Sequence, residues 1–215
     1  MENKADDGTG TGQRRTQRLE AFSDGVFAIA ITLLVLDLAI PLSRQSLLHA
    51  FFGEWPAYLA YIVSFSSIGA IWLGHSTITE YLDRADSTLL RLNLLLLLLV
   101  SFLPFPTKLV AEFLGSRHNE RIASTIYGIT LLAAASILSL LWRYAIREGL
   151  VRPDAKDEEV SELTVRLTPG LAGYCILIGV GLFLPGVAVY GYCVVALYFI
   201  IPIHRRKRGL RRLLS

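Results

Sequence analysis

Polar groups that could do chemistry inside a membrane concentrate in one stretch of this chain. Arg18-Leu-Glu-Ala-Phe22-Ser23-Asp24-Gly25 leads without a break into Val26-Phe27-Ala28-Ile29-Ala30-Ile31-Thr32-Leu33-Leu34-Val35-Leu36. A carboxylate and a hydroxyl at the mouth of an apolar helix can hold a proton, bond a neighbouring helix or meet a cation. An ionised side chain at the centre of a spanning helix costs about 2.5–3.5 kcal/mol on insertion scales, and less near an edge, so Asp24 needs a partner. Elsewhere the chemistry is sparse. His49, His75, His118 and His204 have no ligand spacing, so neither a metal site nor a cofactor is expected. Cys175 and Cys193 fall inside apolar runs, where a free thiol behaves as a small apolar group. With no nucleophile, metal cluster or phosphate-cradling loop in view, the chain does not read as an enzyme.

The elements that must position these groups are membrane helices. Of 215 residues, 53% are hydrophobic and 18% charged, with a mean hydropathy of +0.50; soluble domains carry about 25% charged residues. The apolar residues gather in six runs near Ala21–Ile40, Trp55–Ile78, Thr88–Val110, Ile122–Trp142, Leu167–Leu184 and Val187–Ile203. Each is near the roughly 20 residues that cross a hydrocarbon core. The last two are separated by Leu184-Pro185-Gly186, a hairpin signal. The fold class is therefore all-α, an integral membrane protein of six transmembrane helices.

Lys and Arg flank the runs unevenly. Lys4, Arg14, Arg15 and Arg18 precede the first, Arg84 follows the second, and Arg143, Arg147, Arg152, Lys156 and Arg166 lie around the fourth connection. The terminal segment from His204 adds more, whereas the other side holds mainly Arg44, Arg117 and Arg121. Positive charge marks the cytoplasmic side, so both termini are expected inside. Three segments follow: 1–17 as a disordered cytoplasmic tail, rich in Gly and Thr and without a cleavable signal peptide; 18–204 as one six-helix membrane domain; 205–215 as a basic tail. The net charge of +3 is explained by orientation signals and contact with anionic lipid, so no nucleic-acid partner is expected.

This topology puts Ser23, Asp24, Trp72, His75, Arg91 and Asn93 at similar depth on the cytoplasmic side, and one buried polar network joining the first three helices is expected. Its role is proton relay, gating, or locking helix packing through interhelical hydrogen bonds. His75 is a packed interfacial histidine or a pH sensor. Along the first helix, Gly25, Ile29, Leu33 and Leu36 form a narrow stripe at about 100° of rotation per residue, flanked by Thr32. That stripe faces lipid, another helix of the chain, or the same helix in neighbouring subunits, and periodicity alone does not choose. Lining a pore, it would make a hydrophobic constriction of the kind that gates by dewetting.

Arg18-x-x-x-Phe22-Ser23-Asp24 and the apolar residues after it closely resemble the signature of the endosomal and lysosomal transmembrane potassium-channel family, in particular its prokaryotic members. The resemblance implies a homotetramer in which the first helix of each subunit lines a central pore. It implies a potassium-selective, leak-type cation channel without a carbonyl filter, in the cell membrane of a prokaryote. Carried over position by position, the narrowest layer falls on Ile29, further hydrophobic layers on Leu33 and Leu36, and the selectivity hydroxyl on Thr32. Arg18, Phe22, Ser23 and Asp24 match the motif network, which Trp72, His75 and Asn93 complete. Asp37 is compatible with an acidic pore mouth or with a solvated carboxylate. The partners implied are the chain itself, potassium ions and membrane lipids. The rival readings are a proton-coupled transporter using Asp24 and His75, and a non-conducting membrane scaffold.

Overall fold

The structure is a computed structural model, and it describes residues 7–38, 47–116 and 119–201. Among these, helices follow one another as α1 (Asp7–Leu33, continued by a 3-10 turn over Leu34–Asp37), α2 (Leu47–Gly53), α3 (Trp55–Tyr81), α4 (Ser87–Phe102), α5 (Pro104–Phe113), α6 (Asn119–Arg147), α7 (Asp157–Gly181) and α8 (Pro185–Ile200). Five helical stretches are long and apolar enough to span a bilayer: Arg14–Leu36, Trp55–Tyr81, Ser87–Phe113, Asn119–Arg147 and Asp157–Gly181.

The sixth apolar run forms α8, a helix of 16 residues, which at 1.5 Å per residue is about 24 Å long and shorter than a hydrocarbon core. Residues 202–203 at its end, and the tail 205–215, lie outside the described residues. The third run is not one helix. Leu103 interrupts it, because Pro104 and Pro106 supply no N–H to the ladder and are compatible only with the first turn of a new helix. α2 stands between the first two apolar runs.

α3 is central, packed against α1, α5, α6 and α8. Its sequence explains why. Ala57, Ala60, Ser64, Ser67 and Ala70 are buried along the helix at spacings of three and four, a run of small residues that lets neighbouring backbones approach in a membrane, where no hydrophobic force drives helices together. α1 lies against α3 and α4 on one side only. Leu19, Ser23, Phe27, Ala30 and Leu34 are buried on that side. The helix also reaches back to Asp7, through part of the segment read as a tail. Gln13, Arg14, Arg15, Gln17 and Arg18 favour helix, and Thr16 is buried, near Thr79 and Leu82 at the C-terminal end of α3.

The loops after α3 and after α6 are clipped together. Leu82 and Val151 form an antiparallel bridge, with Asp83 N–H donating to Leu150 C=O and Arg152 N–H to Tyr81 C=O, both at 2.9 Å. Gly149, at φ +61°, makes the left-handed turn that ends α6 and starts this clip. Asp86 caps α4, its carboxylate accepting from Leu89 N–H at 2.8 Å and from the Tyr144 hydroxyl of α6 at 2.6 Å.

Candidate functional site: a polar lock and an exposed stripe on α1

Each face of α1 has its own character. On the buried face, Ser23 is fully enclosed and donates to Leu19 C=O at 2.7 Å. Asn93 of α4 donates its Nδ2 hydrogen to Ser23 Oγ at 2.9 Å, and its Oδ1 lies 2.8 Å from Nε2 of His75 of α3. An amide oxygen only accepts, so His75 must carry its proton on Nε2. The other ring nitrogen, Nδ1, is buried with no hydrogen-bond partner among the described residues. Phe27 of α1 packs on this ring at a centroid distance of 5.6 Å.

A second contact ties α1 to α3 at the rim: Trp72 Nε1–H donates to Asp24 Oδ1 at 2.9 Å. Asp24 and Trp72 are both exposed. The structure thus arranges Ser23, Asn93 and His75 in one buried chain and Asp24 with Trp72 in a separate exposed pair. Arg91 is exposed and takes no part in either, contrary to the expectation of one network holding all six groups. Its place on α4, two residues before Asn93, turns it about 200° away from the buried face. Arg18 and Phe22 are exposed too, and no hydrogen bond or ion pair joins them to these groups among the described residues.

The opposite face of α1 presents Phe22, Gly25, Ile29, Thr32, Leu33 and Leu36, all exposed. Ile29 is 60% and Leu36 73% exposed, although each lies in a helix whose other side is packed. Gly25 has open space where a Cβ would stand. Thr32 donates its hydroxyl hydrogen to Ile29 C=O at 2.9 Å, so its oxygen lone pairs stay available to a ligand. Asp37 closes the 3-10 turn; its side chain lies outside what the structure describes.

A further hydroxyl cluster escaped the sequence. Ser64 of α3 lies 2.7 Å from Thr107 of α5 and 3.0 Å from Tyr127 of α6, and the Tyr127 hydroxyl lies 3.3 Å from Ser67. The signal was the pair Ser64 and Ser67, one turn apart in a span. Its partners came from distant helices that no local pattern connects. Neither hydroxyl cluster nor polar lock resembles a metal site, and no group of three or more His, Cys, Asp or Glu able to hold a metal ion occurs among the described residues.

Comparison with known proteins places these faces in context. Residues 18–104 match the family described as "Endosomal/lysosomal potassium channel TMEM175". A potassium channel of Streptomyces collinus is 37% identical over 185 residues, covering 85% of this chain and 90% of that protein. A potassium channel of Chamaesiphon minutus is 40% identical over 195 residues, covering 87% and 94%. The crystal structure of a lysosomal potassium-selective channel TMEM175 homolog from Chamaesiphon minutus superposes with a TM-score of 0.79 at 36% identity, over 87% of this chain and 97% of that one.

Proposed function

Because the chain belongs to the TMEM175 family, we propose that it is a potassium channel in which four copies of α1 surround a central path through the cell membrane of a prokaryote. The remaining helices hold α1 in place, with α8 as a sixth, short span and both termini on the cytoplasmic side. Potassium is the permeant ion named for the bacterial relatives.

The observation that carries this reading is the exposed stripe of Ile29, Leu33 and Leu36 on a helix already packed along its other side. In the tetramer, Ile29 side chains from four subunits meet and set the narrowest point. Leu33 and Leu36 extend a dry section above it. A cation crossing this section sheds part of its hydration shell, and potassium sheds water more readily than sodium. Thr32 supplies substitute ligands, since its proton is engaged with its own backbone and its lone pairs are not. Asp37, at the outer end, draws cations toward the mouth. The lock of Ser23, Asn93 and His75 fixes the rotation of α1 and so keeps the stripe on the axis.

The test is ion flux from proteoliposomes holding the purified chain, under potassium and then sodium gradients, for the parent and for Ile29→Asn. The expected result is potassium-favouring flux in the parent and a larger, less selective flux in the variant. Flux identical in both removes Ile29 from the constriction; flux that requires a proton gradient establishes a proton-coupled carrier, and no flux establishes a scaffold.

A further inference from the structure

A cavity of about 70 Å³ lies between α3, α6, α7 and α8, away from the exposed stripe of α1. Small residues create it: Ala70 and Gly74 of α3, Ala135 of α6 and Gly170 of α7. Four side chains with polar groups line it, Thr77 of α3, Ser139 of α6, and Arg166 and Tyr174 of α7; the Thr77 hydroxyl is engaged with Leu73 C=O at 2.8 Å.

Ser139 is out of character for this chain. A hydroxyl inside a spanning helix normally bonds the carbonyl one turn back, as Ser136 does with Leu132 C=O at 2.7 Å and Thr130 with Ile126 C=O at 2.9 Å on the same helix. Ser139 is only 6% exposed. Its Oγ is nevertheless one of two buried side-chain nitrogen or oxygen atoms without a hydrogen-bond partner among the described residues. A buried hydroxyl left without a partner loses its water for no return, so it marks a place for an acceptor.

Arg166 is equally unusual. It sits about 13 Å along α7 from Asp157, within a stretch long and apolar enough to span a bilayer. One guanidinium hydrogen goes to Phe199 C=O, at 2.7 Å, near the end of α8. A guanidinium offers five donors, far more than one carbonyl uses, and its charge stands beside an apolar cavity. Ser139 lies about 12 Å before the end of α6. Both groups therefore occupy the cytoplasmic half of the bundle, in the zone just below lipid headgroups.

From this cavity, its charged rim and its unpartnered hydroxyl, we propose that the chain holds one anionic, ester-linked phospholipid of the inner leaflet between α3, α6 and α7. The phosphate pairs with Arg166. The ester carbonyl, which in such a lipid lies just beneath the phosphate, accepts from Ser139. The first methylenes of one acyl chain fill the cavity near Ala70 and Ala135, against Leu138 and the Phe199 ring that pack on Gly74 and Gly170. Any longer lipid tail continues outward past α7, the most exposed of the spanning helices. This site is independent of the ion path on α1.

The experiment reconstitutes the full chain in vesicles of equal phosphatidylglycerol and phosphatidylcholine, extracts it in mild detergent, and measures the phospholipid retained per chain. The expected result is an excess of phosphatidylglycerol of about fivefold, the worth of one basic residue near an anionic surface. Arg166→Gln removes that excess. Ala135→Leu fills the cavity without touching any charge and lowers retention of both lipids. An ether-linked phosphatidylglycerol, lacking the ester carbonyl, is retained less than the ester lipid by the parent and equally by Ser139→Ala. Since Arg166 also bonds α8, a poorly folded Arg166→Gln leaves Ala135→Leu and Ser139→Ala to decide. Equal retention of the two headgroups in the parent overturns the proposal. So does an amount of retained phosphatidylglycerol unchanged by Ala135→Leu, which would assign the lipid to the basic residues after His204.

Discussion

In the proposed pore, Thr32 would separate two things a narrow path must do, exclude water and replace it. Its hydroxyl is the one acceptor among the aliphatic side chains of the α1 stripe, so Thr32→Ala is expected to lower potassium-over-sodium discrimination while leaving conductance largely intact. The reversal potential under bi-ionic conditions checks this, and an unchanged value would remove Thr32 from selectivity. Asn93 does a different job, bridging Ser23 and His75 with one amide. Asn93→Leu strips partners from two buried groups at once, each loss costing about 1–3 kcal/mol. Earlier thermal unfolding in detergent is the expected outcome, and an unshifted unfolding temperature would show that the lock holds nothing. These residues were partly legible in the sequence. Helical periodicity separates Ile29, Leu33 and Leu36 from Ser23, because both faces follow from the same rotation per residue. Depth in the bilayer puts His75 and Asn93 beside Ser23. Depth says nothing about direction around a helix, however, and Arg91 shares the right level while pointing elsewhere, as do Arg18 and Phe22, which the motif alone suggested.

Helices and their junctions show where local rules competed. Pro104 and Pro106 stand inside a run whose hydropathy is continuous, so the apolar length was plain but the break at Leu103 came from missing N–H groups, which hydropathy does not weigh. The glycines near the start argued for a tail, whereas burial of Thr16 and Leu19 carries α1 back through that segment. The clip between these loops was invisible beforehand, since the bridge between Leu82 and Val151 joins segments far apart in sequence. It supplies a prediction at this scale. Partial burial pushes the Asp86 carboxyl up, while the Tyr144 hydroxyl and the backbone N–H of Leu89 pull it down, and the balance lies below the ordinary carboxylate value. A depressed folded-state value means that its stabilisation is complete above the unfolded-state value, near pH 4, and fades as pH falls through the folded-state one. Asp86→Ala should therefore destabilise the protein by about 1 kcal/mol at neutral pH, with the gap between variant and parent closing in acid. A gap that persists at pH 3 would assign the effect to something other than this carboxylate.

For the molecule as a whole, one exposed stripe on a helix otherwise packed carries the prediction of assembly. Mass measurement of the protein in detergent should give four times 23.8 kDa once bound detergent is subtracted. A mass of one or two chains would leave the Ile29 stripe without its companions. α1 also has a mechanical property of its own length. It runs unbroken from Asp7 to Leu33, and Arg18 projects along nearly the same line as Ile29, about 16 Å away. Twist applied at the N-terminal end of such a shaft would be carried toward Ile29 through the continuous backbone hydrogen bonds. Four shafts turned together would act like the blades of a camera iris, opening or shutting by rotation, with no helix needing to bend.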